Sequence, residues 1–230
     1  MCYNSEMSFY FATAGILTTM YIYFYENALA KTGIQYILLF YTFMEFLQGI
    51  QYFFVNQCSN IINVFLTEVA YLLVIVQPLM WNTFYYLNSD SCDKNLFIVA
   101  ICMAFVWIFV NVLARLLYGK YNDPQTKQNS IFASDKVCTK KKKLHLYWEW
   151  TSTNFYELNA NLFAHSLIWF VPGLISTKFR TTTLIILLSC MTAGLVSVLT
   201  NEPFTLVSLW CYVSVPMMLI ILFFILFNKR

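Results

Sequence analysis

The run "NIINVFLTEVAYLLVIVQPLMWNTFYYL", from Asn60 to Leu87, decides the fold class. A helix needs about 20 mostly apolar residues to cross a bilayer, whereas a membrane strand needs about 10 residues of alternating polarity. This run is far longer than a strand and has no period-2 alternation. It therefore predicts a membrane-spanning helix.

The composition of the whole chain agrees with a membrane location. Of 230 residues, 60% are hydrophobic and only 11% are charged, and the mean hydropathy is +0.62. Soluble domains usually have about 25% charged residues. The net charge of +3 comes mostly from the lysines 140–143, so it favours contact with water or lipid headgroups over a nucleic-acid partner.

Seven apolar runs are long enough to be helices, and polar or charged residues bound each of them. The runs are Met7 to Tyr25, Ile34 to Val55, Asn60 to Leu87, Asn95 to Tyr118, Leu158 to Thr177, Thr181 to Thr200, and Phe204 to Asn228. They predict an all-α, polytopic membrane bundle of seven transmembrane helices, forming a single domain over residues 1–230. The long connection at about 119–150 is predicted to be a flexible loop without a fold of its own.

The distribution of basic residues predicts the orientation. We call the side with the N-terminus side A; the loops after the second, fourth and sixth runs then lie on it. The basic residues of side A all lie at or in one loop, whereas every segment of side B carries some. Because short flanks weigh most in the positive-inside rule, we expect an extracytoplasmic N-terminus and a cytoplasmic C-terminus.

Cys2 and Cys58 lie near water on side A, next to the starts of the first and third runs. They could form a disulfide if that side is oxidising, and two unpaired thiols are the alternative. There is no CxxC pair and no Cys/His set with zinc spacing. We therefore predict no metal and no cofactor.

Short motifs throughout the chain carry a resemblance: "MCYNSEMSF" at the start, "FMEFLQGIQY", "VIVQPLMWN", "NLFAHSLIWFVP" and "NEPFTLVSLWCYVSV". In these motifs the chain resembles an uncharacterised family of seven-helix membrane proteins found in microbes and large DNA viruses. Its members commonly begin Met-Cys, with Glu-x-x-Gln in the second span, Gln-Pro in the third and a His in the fifth. The resemblance implies architecture only.

Polar residues inside the runs predict an intramembrane site. Glu45, Glu68 and His165 come to a similar depth, since about 1.5 Å per residue places both carboxylates roughly 12 to 15 Å below the A surface. An intramembrane carboxylate normally faces partners or water inside the bundle. The predicted polar site comprises Glu45, Gln48, Glu68, Gln77, Asn111, Asn161 and His165.

Helical spacing tests which of these groups can converge. Gln77 points away from the stripe that contains Glu68, unless Pro78 rotates the helix. The alternative for Gln48, Gln77 and Asn111 is hydrogen bonding between helices. An aromatic lining of the site is predicted for Tyr41, Tyr52, Trp169 and Trp210, and contact with lipid is the alternative.

Three classes of function follow. The first is a proton- or ion-linked channel or transporter in which Glu45 and Glu68 change protonation and His165 relays the proton. The second is a receptor or sensor that binds a small ligand in the aromatic-lined cavity. An intramembrane enzyme is the least favoured, because no Ser/His/Asp spacing or metal-ligand set appears. Retinal chemistry is excluded, because every lysine lies in a loop or terminus. The oligomeric state stays open.

Overall fold

The computed structural model describes residues 4–118, 133–134, 137–142, 145–151 and 162–199, together with residues 210, 214, 217 and 220. This part of the chain is mainly helical. The helices are α1 (Ser5–Tyr25), α2 (Asn27–Ala30), α3 (Ile34–Gln51), α4 (Ile61–Asn88), α5 (Lys94–Tyr118), α6 (Leu162–Ile175) and α7 (Arg180–Leu199). The prediction of a helical protein is confirmed, and six of the seven predicted runs form helices whose described ends agree to within about a turn.

The helix ends follow from local chemistry. Asn4 caps α1, because its side-chain oxygen accepts a hydrogen bond of 2.9 Å from the Met7 N–H. Asn60 caps α4 in the same way through the N–H of Ile62. Gly33 precedes α3 at φ +80°, a left-handed conformation that glycine adopts at little cost. Most of the seventh predicted run lies outside the described residues, and its four described positions are helical.

Small residues bring α1 against α3. Ser8, Ala12 and Gly15 form the buried face of α1. A Cβ atom added to Gly15 would collide with Thr42 of α3, so the two backbones approach closely at this point. Small residues at such spacing are how helices pack tightly in membranes.

Helix α4 is the central element. It contacts α3 on one side and α5 and α6 on the others, and α6 packs against α7. The largest buried side chains include Trp81 and Tyr85 of α4, Tyr41 of α3 and Phe97 of α5. The core is therefore aromatic and follows α4 through the bundle.

Only two of the described helices are long and apolar enough to cross a membrane, Ile61–Asn88 and Lys94–Leu113. The first of them corresponds to the apolar run from Asn60 to Leu87. Helix α3 contains Gln35, Glu45, Gln48 and Gln51, which lower its hydropathy. The structure therefore does not support seven membrane-spanning helices, and the seven-span bundle stays a prediction.

Part of the connection that was predicted to be an unstructured loop forms a small sheet. Its strands are β1 (Ala133–Ser134), β2 (Cys138–Lys142) and β3 (His145–Thr151). Strands β2 and β3 form an antiparallel hairpin with Thr139 opposite Trp148, and β1 pairs parallel to β3. The prediction that residues 119–150 have no fold of their own is wrong for this hairpin.

Candidate functional site

Glu45 lies in the middle of α3, on the face that packs against α1. Its side chain is fully buried. Along the same face, Thr42 lies against Gly15 of α1, and Gly49 lies against the ring of Phe9. The carboxyl group is therefore enclosed between two closely packed helices.

The carboxyl group of Glu45 lacks regular partners. Within the described residues, neither of its oxygens accepts a hydrogen bond. The Ser8 hydroxyl approaches it from α1 at a geometry short of a regular hydrogen bond, and is itself buried without a partner. Buried polar groups in proteins are nearly always hydrogen-bonded, so the carboxyl group of Glu45 is an exception within the described residues.

Of the two predicted glutamines, Gln77 lies at the contact between α3 and α4. Gln48 is fully buried, and Gln77 is buried with its Nε2 atom 3.5 Å from the sulfur of Met44 on α3. Gln77 thus points into the bundle beside Pro78. This is the orientation that the spacing argument allowed only if the proline rotated the helix.

Asn111 joins α5 to α4. Its Oδ1 atom accepts a 2.9 Å hydrogen bond from the Tyr71 hydroxyl, and its Nδ2 donates to the Trp107 carbonyl. Both of its functional atoms are occupied within the protein. This arrangement is what the helix-joining interpretation of Asn111 predicts.

His165 lies among aromatic rings. Its ring centroid is 6.2 Å from that of Trp107 on α5 and 5.5 Å from that of Trp169 on α6. Trp169 meets Trp210 at 4.9 Å, and Trp210 meets Tyr41 at 5.4 Å. Three of the four residues predicted as an aromatic lining are thus in one continuous cluster with the histidine.

The remaining predicted residues are dispersed. Tyr52 is half-buried at the end of α3, with Lys141 over its ring at 5.7 Å. Glu68 is half-buried on α4, and Asn161 lies outside the described residues. Among the described contacts, none joins Glu45 to His165, because one faces α1 and the other faces α5. The predicted groups therefore do not converge on one site. Glu45 lies at a carboxyl site between α1 and α3, and His165 lies in a separate ring cluster.

A polar network that was not predicted from the sequence lies under the hairpin. Asn63 of α4 binds the backbone of Thr139 twice: its Nδ2 donates to the carbonyl and its Oδ1 accepts from the N–H, each at 2.9 Å. The Trp148 indole donates to Gln51 Oε1 at 2.9 Å, and Gln51 donates to the Leu66 carbonyl. These bonds fix the hairpin over the ends of α3 and α4.

A disulfide fastens the same hairpin. Cys58, in the connection between α3 and α4, is bonded to Cys138 of β2. The predicted pairing of Cys58 with Cys2 is therefore wrong, and Cys2 lies outside the described residues. Cys138 lies in the long connection after the fourth run, which the prediction placed on side A as well, but its pairing with Cys58 was not predicted.

Lys140 of β2 forms an ion pair with Glu149 of β3. Its Nζ atom is 2.7 Å from Glu149 Oε2 across the two strands. This hydrogen bond with Glu149 raises the pKa of Lys140 above its ordinary value. Both groups are partly exposed, so the pair contributes little to stability.

The fold and these two places define a class: a mainly helical protein with two described helices able to cross a bilayer, a buried carboxyl group that accepts no regular hydrogen bond from the described residues, and a buried cluster of aromatic rings. The chain belongs to a family of unknown function (DUF5765), whose profile matches residues 6–229. It is similar to an uncharacterised protein of Acanthamoeba polyphaga mimivirus, with 26% identity over 243 residues, covering 98% of this chain and 96% of that protein. No solved structure matches the chain. The resemblance to an uncharacterised family with members in large DNA viruses is thus confirmed; its seven-helix topology stays a prediction.

Proposed function

We propose that the protein is a seven-helix integral membrane protein that links movement of a proton or another ion to a change in conformation. Glu45 is the group that changes protonation. The observation that carries the proposal is its fully buried carboxyl group, whose oxygens have no hydrogen-bond partner within the described residues. Intramembrane carboxylates of this kind are typical of ion and proton pathways.

The surface of α5 supports the bilayer location. Val99, Met103 and Val106 are 58%, 51% and 62% exposed, whereas the amide of Asn111 is buried at 2%. A helix at a water-facing surface shows the opposite pattern, with polar residues outside. A continuous apolar exterior is stable when lipid covers it.

The disulfide supports the orientation. Cys58 and Cys138 both belong to connections assigned to side A, and disulfides persist in oxidising compartments. Cys92, in the connection between α4 and α5 on side B, is an exposed free thiol. We therefore propose that the hairpin and the N-terminus are extracytoplasmic and the C-terminus is cytoplasmic.

The test is a flux assay on the purified full-length protein in liposomes under a pH gradient. Glu45→Gln keeps the shape of the side chain and removes the titrating group, so we expect the proton-linked flux to be lost. Glu6→Gln changes an exposed carboxylate at the start of α1 and is the matched control. Equal flux for the parent protein and Glu45→Gln contradicts the proposal.

A second candidate is a receptor or sensor for a small ligand. The ring cluster of Tyr41, His165, Trp169 and Trp210 favours it, because such clusters line ligand sites in helical bundles. Thermal stabilisation by a ligand without any flux would support this candidate over the first. Neither candidate involves catalysis.

A further inference from the structure

Buried polar side chains follow α3 from Glu45 to the end of the helix on side A. They are Glu45, Gln48 and Gln51, and all three are fully buried. Residues three apart on a helix are neighbours, with about 5 to 6 Å between their Cβ atoms. Gln48 therefore lies beside both of the others, and we call these three side chains the polar line.

The same helix is different from Glu45 toward side B. The hydroxyl of Thr42 donates to the Leu38 carbonyl of its own helix, and the hydroxyl of Tyr41 accepts an indole N–H from α4 at 2.8 Å. The side chains of Leu38 and Ile34, which follow, are apolar and fully buried. An apolar section of α3 thus separates Glu45 from side B, whereas buried amides lead from it to side A.

The β-hairpin lies over the side-A end of the polar line. Gln51 accepts a 2.9 Å hydrogen bond from the Trp148 indole, and its Nε2 atom donates to the Leu66 carbonyl at 3.0 Å. On α4, the hydroxyl oxygen of Thr67 is 2.7 Å from that of Thr139. Trp148 and Thr139 are both buried. The inner face of the hairpin therefore separates the polar line from the water on side A.

We propose that Glu45 exchanges its proton with side A along the polar line, and that the hairpin is the lid that controls this exchange. When the hairpin lifts from Gln51, water enters beside the amides, which can hydrogen-bond to it, and a proton passes from that water to the carboxylate of Glu45. Leu38 and Ile34 offer water no such partner. This inference rests on the proposed ion-linked function, and it names the side that supplies the proton and the element that regulates its entry.

The test follows the protonation of Glu45 in the full-length protein in lipid nanodiscs, by time-resolved infrared spectroscopy after a drop in pH. The signal is the carboxyl C=O band that Glu45→Gln lacks. Asn63→Leu removes hydrogen bonds that hold the hairpin. We expect the band to appear at least fivefold faster in this variant, because the lid is open for more of the time.

Lys178→Ala is the matched control for an opening at the other end of the bundle. It breaks the exposed ion pair between Lys178 and Asp90 on side B, where the Nζ atom is 3.2 Å from the carboxylate. The proposal requires an unchanged rate in this variant. An equal acceleration in Lys178→Ala and Asn63→Leu would mean that any loosening of the bundle admits the proton, which overturns the lid.

Reduction of the disulfide frees the hairpin without a substitution. Cys58 is partly exposed, and its bond to Cys138 is the covalent attachment of β2. The reduced parent protein should therefore also protonate Glu45 faster than the oxidised protein. A rate that neither reduction nor Asn63→Leu changes would show that the hairpin is not the lid.

Gln48→Leu tests the route itself. It keeps the approximate volume of the side chain and removes the amide from the middle of the polar line, so we expect protonation of Glu45 to be at least fivefold slower. Gln77→Leu makes the same change at a buried amide that contacts Met44 outside the polar line, and should leave the rate unchanged. Equal slowing in the two variants would indicate a packing effect and overturn the route.

The two proposals fail in different ways. A Glu45 band whose rate is equal in the parent protein, Asn63→Leu and Gln48→Leu overturns the lid and the route, and leaves the ion-linked function intact if Glu45→Gln abolishes flux. The absence of a Glu45 band from the parent protein overturns both proposals, because Glu45 then does not change protonation.

Discussion

At the scale of single residues, the contact between α1 and α3 depends on what the glycines lack. Gly15 and Gly49 of the two helices face Thr42 and Phe9 at distances that leave no room for a Cβ atom. The close approach encloses Glu45 between the helices. The carboxyl group is therefore enclosed because small residues on both helices allow the two backbones to approach closely.

The Gly15→Ala substitution tests this dependence. The new methyl group collides with Thr42, so we expect a loss of about 1 to 3 kcal/mol in the free energy of unfolding. Adding Thr42→Ala removes the colliding hydroxyl and methyl groups and should restore part of the loss. Denaturant unfolding in detergent measures both, and an unaffected Gly15→Ala protein would show that the helices are not tightly packed.

The bond between Trp81 and Tyr41 is a second prediction at this scale. The indole N–H donates to the tyrosine hydroxyl at 2.8 Å between α4 and α3, and both side chains are fully buried. Tyr41→Phe removes the acceptor and leaves the N–H without a partner, which costs about 1 to 3 kcal/mol. Tyr10→Phe, at an exposed position on α1, is the control and should leave the unfolding midpoint unchanged.

At the scale of elements, the β-hairpin is held by polar bonds to helix ends. Asn63 forms hydrogen bonds with both the N–H and the carbonyl of Thr139, and it also donates to the Phe54 carbonyl at 2.7 Å. Replacing Asn63 with Leu keeps its approximate volume, removes all three bonds and leaves the Thr139 N–H without its acceptor; the Thr139 and Phe54 carbonyls still accept from the N–H groups of Asn56 and Gln57. The hairpin should therefore detach before the helices unfold.

Hydrogen exchange measures that detachment. We expect Asn63→Leu to speed amide exchange in Cys138–Lys142 and His145–Thr151 while α4 and α5 stay protected. Lys140→Ala removes only the partly exposed pair with Glu149 and should change exchange little. Equal exchange in Asn63→Leu and the parent protein would mean that the bonds of Asn63 are not needed to hold the hairpin.

The disulfide is the covalent part of the same attachment. Cys58 and Cys138 are 80 residues apart, so the bond closes a long loop and restricts the unfolded chain. The chain-entropy relation gives a contribution of about 4.5 kcal/mol for a loop of this length. Non-reducing mass spectrometry should find Cys58 linked to Cys138 and Cys92 free. A peptide that links Cys58 to Cys2 would contradict the structure.

The elements differ in how far the sequence could predict them. Long apolar runs located the helices, because length and uninterrupted hydrophobicity suffice for that. The strand β3 was missed although Leu146 and Trp148 are buried and alternate with the half-buried Tyr147 and Glu149. This period-2 pattern was present, but the lysines before it and its position between two runs favoured a loop.

At the scale of the whole molecule, the sequence could place polar groups by depth but could not say which helices are neighbours. Glu45 and His165 were matched in depth, yet α3 presents Glu45 to α1 whereas α6 presents His165 to α5. Adjacency depends on packing between surfaces, and small residues such as Ser8 and Gly15 decide it. The depth of a residue along its own helix does not show which helices are neighbours.

Thiol labelling tests the arrangement of the molecule in its membrane. Cys92 lies between α4 and α5 and is exposed. Under the proposed orientation it faces the cytoplasm, so a membrane-impermeant maleimide should label it only after the membrane is opened. A Cys92→Ser protein carrying Ser59→Cys is the control, because that connection lies on the opposite side and should be labelled in intact cells.

The central claim is that Glu45 changes protonation within the membrane, and infrared difference spectroscopy on the reconstituted protein tests it most directly. On acidification, the parent protein and Glu6→Gln should both show a carboxyl C=O stretching band that Glu45→Gln lacks, because only that variant has lost the buried group. Identical difference spectra from the parent protein and Glu45→Gln, with both proteins folded, would contradict the account.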